Sequence, residues 1–545
     1  MKIKIYSFIA LFGFLMLASC TDELNVQNPN DPTPESASTE NGIVALAQGG
    51  VYINGFKGLA DKYVDGVPGY FWSGAVGFHE IMGDVIGVEA ANWYLNQIGC
   101  PDEIVLDDGT VVKNPQNPNA QVALLREINT NANQGQNPLF HEWANMYSLN
   151  NACNTILEVL PNVAFVNDGD VKKKTVEAWA YWWKGFAYSR IGSIYYAGVI
   201  NSEAGKASNV FKSKEDIINE ATANFDKAAG ILATLQPGGA YSEILGKLIP
   251  DICQVKRGGV LTPAEWIRNI NTYKARNILV NNTVAQMDAG KWNAIKTLTS
   301  NGIKASDKIF TVVTNDRGDL ITPSSGAVIL KATNPTPGGG TYKLSERLIQ
   351  DFKTDDQRLA NNFNKGTTWI GNADRGIIFN TAWTVVDGGK GLPGVITLSS
   401  RTAGEYELAM SGTYEENELM AAEAALYTGD VEGGLAKIDN VRSVQGAGLA
   451  SVAGKGLSLS AAKEELRVER RCGLAFRGLS FYDARRWGVI DKGSGRTGAV
   501  VVDKDGKRNT NVTIRYNFLD YWDVPDNELA YNPAGAGSAP VKNPK

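Results

Sequence analysis

Apolar positions along the chain recur mostly at helical spacing. Val176, Trp179, Trp183 and Phe186 repeat at three- and four-residue intervals, which predicts a long helix over 171–192 with one buried stripe. A second amphipathic helix is predicted over 213–235. Ile217, Ala221, Phe225, Ala228, Leu232 and Leu235 share its inner face, Ser213 with Asp216 approximates a capping box, and Pro237-Gly238-Gly239 stops it. Thr262-Pro263-Ala264-Glu265 opens another helix, with Thr as N-cap, Pro at the first helical position and Glu placed to complete the box. A helical run from about 140 to 160 ends at Pro161. Over 415–443 two stripes face each other across Gly429-Asp430. Leu419, Ala422 and Leu426 form one, and Val431, Leu435, Ile438 and Val441 the other. Such a helix pair cannot bury its faces alone and must stack on further pairs.

Strand signals are short. Two runs read as hairpins, 104–112 around Asp108-Gly109 and 500–515 around Asp505-Gly506. Residues 24–40 are rich in Pro, Asn, Ser and Thr and read as an extended tether. Two regions follow no period. In 66–99, Tyr70, Phe71 and Trp72 lie between Gly69 and Gly74, and Trp93-Tyr94 sits beside Asn92, Asn96 and Gln97. The stretch 311–411 is rich in Gly and Pro and carries Trp369 and Trp383 in its loops. Aromatics on glycine-rich loops either fold back onto the core or present flat faces to a ligand, and the pattern leaves both readings open.

The stretch 464–488, EELRVERRCGLAFRGLSFYDARRWG, mixes the two textures. Ser460 is the expected N-cap, with Glu464 and Glu465 in the first turn, where the helix dipole favours anions. Leu466, Glu469, Gly473 and Phe476 fall on one stripe. A carboxylate among apolar neighbours is costly unless an arginine meets it, and Arg485 and Arg486, just past Gly478, are the expected partners. The structural reading, an ion-pair network closing a helical core, is preferred here to an active-site carboxylate.

Composition narrows the function. The chain has 545 residues, 43% hydrophobic and 20% charged, with net charge -5. A mildly acidic chain without a basic patch argues against nucleic acid as partner. Lys2 and Lys4 precede an apolar run, Ile5 to Leu17, too short to span a bilayer comfortably. Leu17-Ala18-Ser19-Cys20 resembles a bacterial lipobox, which implies a signal peptide over 1–19 and a lipid on Cys20, with 20–40 as the tether. The alternative is an ordinary secretory signal followed by a stray cysteine. Cys100, Cys153, Cys253 and Cys472 are too scattered for a zinc knuckle and read as small buried hydrophobes, although one disulfide stays open. The two histidines, His79 and His141, lack a partner at helical spacing, so HExxH is missing; GxSxG, the P-loop and GxGxxG are missing too. No metal or other cofactor is expected.

The 464–488 stretch closely resembles the C-terminal signature of the SusD/RagB family, of the form ERRxELAFEGxRFFDLRRWG. Glu469-Arg470-Arg471, Leu474-Ala475-Phe476, Gly478, Phe481, Asp483 and Arg485-Arg486-Trp487-Gly488 match, while Cys472 and Arg477 depart. The 415–443 pair resembles a tetratricopeptide unit. Leu344-Ser345-Glu346 with Asp356-Gln357-Arg358 is similar to the family's SExL…DxR pattern, and 521–533 is similar to its WPIPxxE…NP tail. The resemblance implies a mostly α fold over 41–545, divided near residue 260. Tetratricopeptide-like hairpins would lie on one side, with a loop-rich ligand face and a few short β-hairpins. It further implies an outer-membrane surface lipoprotein, without catalytic activity, that captures a glycan and hands it to a SusC-like TonB-dependent transporter. Tyr70, Phe71, Trp72, Trp93 and Tyr94 are the candidate ligand residues, with Trp369 and Trp383 as second walls. Two rival readings are a lipid-anchored helical-repeat protein that binds peptides and a surface glycoside hydrolase.

Overall fold

Seventeen α-helices and twelve short strands carry the residues described by the computed structural model. Those residues are 37–53, 76–88, 95–136, 138–313, 342–369, 379–400, 402, 405 and 407–545. The expected signal peptide, Cys20 and most of the expected tether therefore lie outside them.

The chain opens with α1 (Glu40–Gln48), α2 (Val76–Met82), β1 (Ile86–Val88) and α3 (Leu95–Ile98). A hairpin of β2 (Glu103–Val105) and β3 (Val111–Lys113) leads through α4 (Ala120–Ile128) to the long helices α5 (Pro138–Val159) and α6 (Gly169–Ile194). Strands β4 (Ala197–Val199) and β5 (Phe211–Ser213) pair before α7 (Lys214–Leu232), α8 (Gly239–Leu248), α9 (Pro263–Val280) and α10 (Ala289–Ser300). The Gly/Pro-rich region is cut into small pieces. These are β6 (Thr311–Val313), β7 (Tyr342–Leu344), α11 (Glu346–Asp351), α12 (Gln357–Asn362), β8 (Phe363–Trp369), β9 (Thr381–Val385) and β10 (Glu407–Ala409). The last helices are α13 (Tyr414–Tyr427), α14 (Val431–Val444), α15 (Leu459–Gly473) and α16 (Ser480–Arg486). Strands β11 (Arg496–Val502) and β12 (Arg508–Arg515) follow, then α17 (Asp526–Tyr531).

Two of the three expected caps form, and the third shifts by two residues. Ser213 Oγ accepts from the Asp216 amide at 3.1 Å, and Thr262 with Glu265 closes a full capping box, at 3.2 and 2.7 Å. For α15 the cap is Ser458, whose Oγ accepts from the Ala461 amide at 3.2 Å, so Ser460 lies inside the helix and Glu464 and Glu465 fall beyond the first turn. The stripe on α6 is core, as its spacing predicts. Trp179, Trp182 and Trp183 are buried, with Trp182 4.5 Å from Trp183 edge-on and 4.6 Å from Phe310 between ring centroids. At Gly185 a Cβ would come within 2.6 Å of the Phe225 ring, so the missing side chain lets α6 and α7 pack closely. The α13–α14 pair closes in the same way: a Cβ on Gly434 would meet Leu426 at 2.7 Å.

Both expected hairpins form, and they join. β12 pairs antiparallel with β2, Thr513 opposite Val105, giving one four-stranded sheet in the order β11-β12-β2-β3. Cys100, Cys153, Cys253 and Cys472 are all buried. No described helix is long and apolar enough to cross a membrane.

Candidate functional site

Two arrangements could carry function: the charged cluster built on α15 and α16, and the described elements that flank the aromatic candidates. Glu469 is fully buried, as its place on the stripe requires. Its partners are Arg358 and Arg442, and the expected pairing with Arg485 and Arg486 does not form. Oε1 accepts from Arg358 Nη1 at 2.6 Å, and Oε2 from Arg358 Nη2 at 3.1 Å and Arg442 Nε at 2.8 Å. The reason is the turn between the helices. Phe476 at φ 62° and Gly478 at φ 72° redirect the chain, so α16 leaves the face that Glu469 occupies.

Arg485 instead donates to the Ser193, Val280 and Asp520 carbonyls at 2.8, 2.7 and 2.9 Å. Two of these close the C-terminal ends of α6 and α9, where orphan carbonyls and the dipole favour a cation. Arg486 binds Asp483 at 2.8 Å and Glu423 at 2.7 Å, and Arg470 holds the other oxygen of Asp483 at 2.8 Å. Burial would raise the Asp483 carboxyl, but these two guanidiniums hold it below its ordinary value. Arg471 reaches Asp351 at 2.6 Å and the Gly83 and Asp84 carbonyls, both at 2.9 Å. The sharper reading of Glu469 as an active-site carboxylate fails on this geometry. Both oxygens are occupied, no substrate can reach them, and the group ties three chain segments together.

His79 is likewise structural. It is buried against Tyr482, with its ring 4.8 Å away, and its Nε2 lies 3.6 Å from Glu142, which Arg190 holds at 2.7 Å. Burial lowers its pKa and Glu142 opposes that shift. Among the described residues no His, Cys, Asp and Glu cluster could hold a metal ion.

The aromatic candidates Tyr70, Phe71, Trp72, Trp93 and Tyr94 lie outside the described residues. Their flanks do not. Tyr52 sits 6.1 Å from Trp179, and Phe310 5.9 Å from Trp183, so the described residues before 54–75 and before 314–341 both pack on the tryptophan cluster of α6. Strand β1 pairs with β7, Val88 opposite Tyr342, so 89–94 begins where 314–341 ends. β9 packs beside β7 and pairs with β8, Thr381 opposite Trp369. Trp369 closes that ladder, while Trp383, opposite Lys365, is half-buried against the core. Among the described residues, the flanking elements α2, β1, β7 and the β8–β9 ladder thus pack in one run.

This mostly helical architecture is SusD-like. Residues 414–535 match the model of the SusD family. A SusD superfamily protein from Parabacteroides distasonis is 13% identical with a TM-score of 0.54, covering 93% of this chain and 100% of its own. A SusD-like carbohydrate binding protein from Bacteroides fragilis is 15% identical with a TM-score of 0.51, covering 85% and 99%. A third structure, described with xylogluco-oligosaccharide, is 13% identical with a TM-score of 0.53, covering 92% and 100%. At these identities the likeness is one of fold. No curated protein matches the chain. The match to the family model falls on the C-terminal helices, and the SusD-like fold extends over the rest.

Proposed function

We propose that this protein is a cell-surface lipoprotein, anchored through Cys20, that captures an oligo- or polysaccharide and passes it to a TonB-dependent outer-membrane transporter. The family match at 414–535, with the SusD-like fold around it, carries the reading. A sugar ring offers an apolar face to indole or phenol and hydroxyls to nearby amides. Tyr70, Phe71, Trp72, Trp93 and Tyr94 supply the rings, and Trp369 and Trp383 the second walls. The protein binds and does not cleave.

Titration calorimetry against a glycan panel that includes xyloglucan oligosaccharides, with a peptide panel beside it, tests this. One indole losing roughly 100 Å² to a sugar face contributes about 2.5 kcal/mol, or about fifty-fold in affinity. Trp72→Ala and Trp93→Ala should therefore abolish weak glycan binding and leave the melting temperature nearly unchanged. If both bind as the parent does, or both unfold, these rings are not the platform. Cys20→Ala should move the protein from the membrane fraction to the soluble one. Unchanged fractionation with no lipid mass on the mature N-terminus would sink the anchor.

A further inference from the structure

A cavity of about 320 Å³ opens between α11, α15, α16 and the start of β11. Four guanidiniums line it, those of Arg347, Arg467, Arg471 and Arg496. Three are matched by carboxylates. Arg347 holds Asp84 at 2.7 Å, Arg471 holds Asp351 at 2.6 Å, and Arg467 is shared between Asp351 at 2.8 Å and Glu464 at 2.7 Å.

Arg496 is the exception. Its nearest carboxylate oxygen is Asp84 Oδ2 at 3.9 Å, and that carboxylate already serves Arg347 and the Tyr516 hydroxyl. Among the described residues its guanidinium makes no hydrogen bond, although the side chain is only 17% exposed. Burial, and then the neighbouring Arg471, work against its charge. A cation in this position lacks the fork-to-fork partner that guanidinium geometry favours. Trp487 also lines the cavity, a half-buried indole with Arg486 over its ring at 4.5 Å.

We propose that this cavity binds an oxyanion, a carboxylate or sulfate group, with Arg496 as its principal contact. The group would accept two parallel bonds from Arg496 and balance the surplus guanidinium of the cluster. The cavity has room for a monosaccharide carrying such a group, and also for a free inorganic ion. The inference rests on none of the aromatic ligand candidates.

Thermal shift and calorimetric titration of the full chain test it. The probes are sodium sulfate against sodium chloride at equal ionic strength, and glucuronate against glucose. The expected result is a saturable rise in melting temperature with sulfate, glucuronate or both. Arg496→Gln should weaken it about tenfold or more, the scale of one lost charge-assisted bond. Thr497→Glu sets a carboxylate beside Arg496 on an exposed position, and should abolish the response without lowering the melting temperature in chloride. It decides the matter if Arg496→Gln does not fold. A response to sulfate alone identifies an inorganic ion, and a response to glucuronate identifies a sugar-borne carboxylate; either supports the site. The proposal falls if neither probe acts on the parent protein, or if Thr497→Glu responds as the parent does.

Discussion

The tryptophan cluster of α6 and the charged cluster of α15–α16 are both fully buried, yet they hold the molecule by opposite means. Around α6, Trp179, Trp182, Trp183, Trp266 and Phe310 meet through ring faces and edges, a cohesion set by area and nearly indifferent to which ring sits where. Around α15, each carboxylate is held by named donors: Glu469 by Arg358 and Arg442, Asp483 by Arg470 and Arg486, Glu423 by Arg486. Losing one member there leaves a buried charge uncompensated. The first kind of core tolerates substitution by degrees, whereas the second fails one partner at a time.

The largest effect should come from breaking the charged core. Glu469→Gln should cost about 3–5 kcal/mol, because two buried guanidiniums each lose one of their two carboxylates at once, Arg358 keeping only Asp356 and Arg442 only Glu465. Denaturant unfolding should show it as a lower midpoint, well before any change in ligand affinity. A variant as stable as the parent would contradict the contrast between the two cores. Trp182→Phe should cost less, about 1–3 kcal/mol, since a smaller ring leaves a limited cavity. Its cost should be the same at every pH, which separates it from Asp483→Asn. The Asp483 carboxyl is depressed in the fold, so its contribution is present above the ordinary Asp range and disappears as pH falls below it. The penalty of Asp483→Asn should shrink in acid, while that of Trp182→Phe should not.

The smallest expected effect has the opposite sign. Glu80 is buried beside this cluster with one oxygen accepting from the Gly478 amide at 2.7 Å and the other unpartnered. Burial, against the pull of that amide, pushes its pKa up to about 7. A raised carboxyl binds its proton more tightly folded than unfolded, so stability falls as pH rises from about 4.5 to about 7. Glu80→Gln should therefore be more stable than the parent at pH 8, by about 1 kcal/mol, and should lose that advantage below the ordinary Glu pKa. A variant less stable at pH 8 would show that the ionised Glu80 finds compensation.

The two cores were not equally legible in the sequence. Ring stripes and caps are local signals, so 171–192 and the Thr262 box could be read within a few turns of chain. That Glu469 would be buried and paired followed from its phase on the helix. Its partners did not, because Arg358 stands 111 residues upstream and, although Gly478 marks a turn, nothing in the sequence announces the left-handed Phe476 that sets its direction. Arg485 and Arg486 were the nearest cations in sequence but not in space. Pairing of β12 with β2 was equally invisible, since each hairpin is complete by itself. Of the ligand candidates, only the Trp369 backbone and Trp383 fall among the described residues, and Trp383 leans on the core.

The reach of Arg471 sets the order in which this chain can mature. Its guanidinium clasps the Gly83 and Asp84 carbonyls across 388 and 387 residues, and β12 supplies the strand that β2 pairs with. At about 5–20 residues per second, a ribosome takes roughly 20–80 s to make the second half of that clasp. Until then the segment around α2 and β1 has neither its sheet partner nor its arginine, and the two halves cannot be finished separately. Long-range closure of this kind slows folding. Truncated chains lacking the C-terminal helices should emerge as protease-sensitive intermediates and not as a free-standing N-terminal module.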